Sequence, residues 1–253
     1  SGRVATLSTS IFKTTEEKQI KEKLQFYCND NNVDGLIIAF ESNIQGQSYA
    51  YMAIKNLELK IVNISEYYDF KSENEYSFWY SNTIKSGKLF WTNAIFDPAY
   101  GEKIVICCMP FAANGNRGVV AFIYRTTTIF ALLNDYCSIG RYGFPYIIDT
   151  LASFVAHPQN EDRSLEELGD DFNDNTLIKF SDAIKNNNIN QDFIHYNTAT
   201  RKKCIELAYP IKHTNWFLGL SVYNGRELES HEFRQEMRQS SLKILIVLFI
   251  YFV

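Results

Sequence analysis

Trp79 and Tyr80 stand side by side in the stretch from Tyr76 to Pro110, YSFWYSNTIKSGKLFWTNAIFDPAYGEKIVICCMP. The pair has the chemistry to hold a small molecule. An indole face stacks on planar groups and attracts cations, and a phenol adds a hydroxyl. Tyr76, Ser77, Trp91, Asp97 and Cys107 lie in the same stretch, and Tyr124 follows in the next apolar run. The set combines aromatic surface, hydroxyls, one thiol and one carboxylate. Each member also has a packing role to weigh against this one. Aromatic rings fill cores, and Asp97-Pro98 is a turn signal.

Other chemistries find less support. Cys107 or Cys108 can be set on paper beside His157 and Asp149 as a nucleophile and its base, but no local motif supports that geometry. His157 precedes Pro158 and reads as the end of a strand. His195, His213 and His231 lack metal-ligand spacing. No catalytic residue, metal or cofactor is expected. The five cysteines are irregularly spaced, so they form no disulfide framework, and Cys107 and Cys108 point to opposite faces if they lie in a strand. A net charge of -4 with no long basic tract argues against a nucleic-acid groove.

The elements that position these residues follow from periodicity. Residues 13–32 read as a helix, with capping-box spacing at Thr14 and Glu17 and an apolar stripe at Ile20, Leu24 and Cys28. Strands over 35–40, 49–54 and 57–62 form an antiparallel meander. A helix from Glu75 to Ser86 stops at Gly87, taken as a left-handed cap. Strands at 104–110 and 118–125 form a hairpin, and Thr126 to Thr128 open a helix reaching about Ser138. A second meander starts at Tyr146. Helices at 164–168 and 175–186 follow, then strands at 192–196, 204–211 and 217–222. Two units emerge, 35–140 and 141–225, preceded by a helical segment over 1–34 and followed by a last helix over 226–253. The ten apolar residues Ile244 to Val253 fall short of the ~20 a membrane span needs, and the expectation is a truncated span rather than an amphipathic end.

Several stretches resemble the double Cache sensors, tandem PAS-like modules found outside the cell in bacterial and archaeal receptors. They are Trp79-Tyr80, Trp91-Thr92 followed by Asp97, Met109-Pro110 with Gly118-Val119-Val120, and Gly143-Phe144-Pro145-Tyr146-Ile147-Ile148-Asp149 through Val155-Ala156-His157-Pro158. The resemblance covers about residues 35–225. It implies an α+β fold of two Cache modules, each a central antiparallel sheet with flanking helices, and a C-terminal helix leading to the membrane. It places the sensor on the extracytoplasmic side of a cell membrane and a ligand in the first, membrane-distal module.

Departures from the family bear on the ligand. Amino-acid-binding members carry an Arg where this chain has Ser77, an Asp where it has Ile123 and a Tyr where it has Ile95. A desolvated zwitterion needs charge-assisted partners. The expected ligand is therefore an uncharged or cationic small molecule rather than an α-amino acid, met by Tyr76, Ser77, Trp79, Tyr80, Trp91, Asp97, Cys107 and Tyr124. The expected function is the sensor region of a transmembrane receptor of kinase, phosphatase, cyclase or chemoreceptor type, able to pair as a homodimer at full length. The alternative is a ligand-independent dimerisation or protein-interaction spacer.

Overall fold

A computed structural model describes residues 17–30, 33–42, 48–55, 59–64, 69–71, 77–97, 100–113, 116–137, 142–160, 162–189, 193–197, 202–211 and 214–223. Tyr76, the Thr14 cap and the apolar C-terminal segment lie outside them. The described residues form an α+β fold of two antiparallel sheets and five helices. The chain divides into two units at Arg125 and Thr126.

The first unit opens with α1, Glu17–Asp30. Ile20, Leu24 and Cys28 are each no more than 1% exposed, as their i, i+4, i+8 spacing requires. The helix lies across β1 (Gly35–Ser42), β2 (Ser48–Lys55) and β3 (Leu59–Asn63). After these come α2 (Phe78–Ser86), the short strands β4 (Phe90–Trp91) and β5 (Ile95–Asp97), then the long hairpin β6 (Glu102–Ala113) and β7 (Asn116–Arg125). The sheet order is β3-β2-β1-β7-β6-β4, with β5 also on β6. Gly87 ends α2 at φ 62°, the left-handed position expected of it, and its N–H returns to the Thr83 carbonyl.

Register decides which side chains share a face, because successive strand residues point to opposite sides. Cys108 pairs with Ala121 and Phe90, while Cys107 pairs with Phe122 and Trp91. One face therefore carries Ile104, Ile106, Cys108, Ala121 and Ile123, and α2 covers it with Trp79 and Tyr80. Cys107, Tyr124 and Trp91 belong to the other face.

The second unit contains α3 (Thr126–Cys137), β8 (Gly143–Asp149), β9 (Phe154–Ala156), α4 (Leu165–Asp171), α5 (Asn175–Lys185), β10 (Phe193–Asn197), β11 (Lys202–Ile211) and β12 (Trp216–Tyr223). The sheet order is β10-β11-β12-β8-β9. Helix α3 packs on β8 and β9, so it lies with this unit, although the sequence reading ended the first unit at residue 140. The start of α4 has a full capping box, with Glu167 N–H donating to Ser164 and Ser164 N–H donating to Glu167. Asp174 caps α5 by accepting from the N–H groups of Thr176 and Leu177 at 2.9 and 3.4 Å. Leu177, Phe180 and Ile184 turn one apolar face of α5 into the core beside Phe154, Phe193 and Phe217. Gly219 sits beneath Tyr146; a Cβ there would meet the ring at 2.0 Å. Only glycine lets that ring lie flat on the sheet.

Candidate ligand site

In the first unit the expected contact residues divide between two faces. On the α2 side, Trp79 is 1% exposed and Tyr80 3%. The Tyr80 ring meets Phe70 edge-on at 4.8 Å. Its hydroxyl donates to Glu41 Oε1 at 3.0 Å. Burial, then the Glu41 charge, push that phenol well above its ordinary pKa. Ser77 is fully buried at the N-cap of α2. Asp97 shares the parity of Ile95 on β5 and pairs with Glu102, and its carbonyl accepts from Tyr100 and Gly101 N–H at 3.1 and 2.9 Å. That is the turn its Asp-Pro sequence suggested.

On the opposite side, Trp91 stacks on Tyr124 with centroids 5.9 Å apart and planes 28° apart. Cys107 is buried opposite Trp91 in register. Burial raises the Cys107 thiol, and burial followed by Cys107 and Asp34 raises the Tyr124 phenol. A thiol raised this way is a poor nucleophile. The structure thus brings together Ser77, Trp79 and Tyr80 at α2 and packs Ile95 of β5 against the same apolar cluster, while Asp97 closes the turn that follows. It places Trp91, Cys107 and Tyr124 behind the sheet. Ser77, Ile95 and Ile123, the positions that depart from amino-acid-binding receptors, all fall on the α2 side, with Ile123 fully buried in the apolar cluster and Ile95 packed against it.

The second unit holds a polar cluster that the sequence reading did not assemble. His195 lies between two carboxylates, with Nδ1 3.1 Å from Asp174 Oδ2 and Nε2 2.9 Å from Glu206 Oε1. Burial works against the imidazolium, but the hydrogen bonds and charges of Glu206 and Asp174 outweigh it and hold the His195 pKa above its usual value. Glu206 also accepts from Ser221 Oγ at 2.8 Å and from the Tyr146 hydroxyl at 2.7 Å. The fully buried Tyr146 phenol is raised by burial and by Glu206. His157 Nδ1 accepts from the N–H groups of Gln159 and Asn160, both at 3.0 Å, which fixes the turn before α4. Burial pushes the His157 pKa down to about 3, so the ring is neutral and its proton sits on Nε2. These groups border a cavity of about 100 Å³. Among the described residues no group of His, Cys, Asp and Glu is arranged to hold a metal ion.

The comparisons with known proteins bear on this architecture. Residues 20–131 match the family model of the methyl-accepting chemotaxis protein-like first PDC sensor domain. The fold is that of a tandem Cache, or PDC, sensor. The extracellular domain of mmHK1S-Z3, a protein named as a histidine kinase, superposes with a TM-score of 0.69 at 17% identity, covering 87% of this chain and 84% of that one. The ligand-binding domain of the Pseudomonas aeruginosa chemoreceptor PctC, in complex with GABA, gives 0.56 at 16% identity over 87% and 90% of the two chains. That of the Pseudomonas fluorescens chemoreceptor CtaA, in complex with L-serine, gives 0.59 at 16% identity over 88% of each. No curated protein matches the sequence. At these identities the solved structures establish the sensor fold alone. Two antiparallel sheets with flanking helices are the α+β fold expected from the sequence.

Proposed function

We propose that this chain is the extracytoplasmic sensor region of a transmembrane receptor of the histidine kinase or chemoreceptor type. The observation that carries the reading is the tandem of antiparallel sheets whose first unit matches a chemotaxis-receptor sensor model. The ligand lies between α2 and the sheet, against Ser77, Trp79, Tyr80 and Asp97, and Trp91, Cys107 and Tyr124 support the sheet from behind. An uncharged or cationic molecule suits this face, because Ser77 and Ile123 supply no fixed charge for a zwitterion. Binding biases the receptor only through a difference in affinity between two conformations. The segment over 226–253 carries that bias to the membrane, and no described helix is itself long and apolar enough to cross one.

A second reading has its own observation. The PctC and CtaA structures hold GABA and L-serine, so amino compounds belong in the same screen. A thermal-shift panel of L-serine, L-alanine, GABA, simple amines and neutral metabolites tests both. A ligand at a hundred times its dissociation constant adds about 2.7 kcal/mol of stability. A shift lost in Trp79→Ala supports the α2 site. Shifts confined to L-serine and L-alanine replace the first ligand class with the second. A silent panel favours the spacer role.

A further inference from the structure

We propose that the cavity of the second unit binds a small organic ammonium compound, separately from any ligand of the first unit. Its volume of about 100 Å³ is enclosed by α4, α5 and the sheet. A dry cavity of ~150 Å³ accepts benzene, so this one suits ~4–5 non-hydrogen atoms. The sign of its charge is set by its lining. Asp174 and Glu206 contribute two carboxylates, His195 offsets one, and among the described residues no Lys or Arg borders the space. An anion is repelled there, and a cation completes the balance.

The hydrogen-bond inventory gives the ligand its shape. Glu206 Oε2 and Asp174 Oδ2 each accept one hydrogen bond, from Tyr146 and His195, and a carboxylate oxygen can accept two. At another point of the lining stands His157, 5% exposed, whose Nδ1 accepts two hydrogen bonds while its Nε2–H meets no acceptor among the described residues. An oxygen of an incoming molecule can accept from that N–H. Phe144, Tyr146 and Phe154 supply ring faces for a cation. Phe172 and Tyr196, 47% and 56% exposed, border the cavity on its solvent side. The best occupant is an ammonium with a hydroxyl about two carbons away.

Calorimetric titration of the whole chain with 2-hydroxyethylammonium, ethylammonium and propionate at constant ionic strength tests this. Saturable binding of both ammonium compounds and none of propionate is expected. Asp174→Asn keeps a competent helix cap and should weaken both by about tenfold or more. His157→Asn keeps an acceptor near the place of Nδ1 but withdraws the Nε2–H, and should weaken 2-hydroxyethylammonium while sparing ethylammonium. Equal binding of propionate, or no heat at about 10 mM ligand, overturns the proposal. So does binding that survives Asp174→Asn but is lost in Asp97→Asn, because that puts the ligand in the first unit. Thermal melts confirm that each variant folds.

Discussion

Both units contain a tyrosine whose hydroxyl donates to a glutamate on a strand, from a helix in the first and from within the sheet in the second, and the two pairs behave as opposites. In the first unit Tyr80 reaches Glu41, which is exposed, at 3.0 Å. In the second Tyr146 reaches Glu206, only 5% exposed, at 2.7 Å, and Glu206 also serves Ser221 and His195. The first carboxylate keeps its water, so the pair is a local anchor above an apolar core. The second has lost its water, so its oxygens depend on protein donors or on a guest in the cavity beside it. One sheet face is apolar, and the other has a defined charge.

Removing each glutamate breaks the comparison most sharply. Glu206→Ala leaves His195 and two hydroxyls without their acceptor and should cost about 3–5 kcal/mol in denaturant unfolding. Glu41→Ala should cost no more than about 1 kcal/mol. Equal losses would erase the distinction between the units.

The histidines of the second unit give the next effect. His157 has its pKa lowered to about 3, so its contribution is complete above the unfolded value near 6.5 and is lost as pH falls toward 3. The loss amounts to roughly 5 kcal/mol, and in His157→Asn the acid side of the stability profile should flatten. His195 is shifted the other way. Its contribution is complete below about 6.5 and is lost as pH rises through its raised folded value. The unit should be most stable near pH 6–6.5, and His195→Gln should remove the alkaline decline.

Single hydroxyls sharpen the comparison further. Tyr146→Phe should cost about 1.5–3 kcal/mol and Tyr80→Phe about 1 kcal/mol, read from thermal unfolding of the two variants. An effect as small as that of Tyr80→Phe is expected at Gly87→Ala. The backbone there has φ 62°, and the strain should cost about 1 kcal/mol and shorten α2 in amide exchange.

Much of the fold was legible in the residues. Ile20, Leu24 and Cys28 announced the buried stripe of α1, Gly87 its stop signal for α2, and Leu177, Phe180 and Ile184 the inner face of α5. The placement of the site was less legible, because a strand's faces exchange with a shift of one residue. Nothing local says whether Cys107 or Cys108 looks toward α2; the pairing of Trp91 with Cys107 decides it. The polar cluster escaped for another reason. Asp174, His195 and Glu206 come from a helix cap and two strands, so no spacing joins them. A signal was present even so: Glu206 alternates with Cys204 and Ala208, and a glutamate at an inward strand position demands partners.

Asp174 divides its two oxygens between different tasks. Oδ1 holds the first turn of α5, and Oδ2 holds His195. A proton or guest that draws the carboxylate inward must also tug the opening coil of that helix. Chemistry at the rim is thereby geared to the position of a rigid rod.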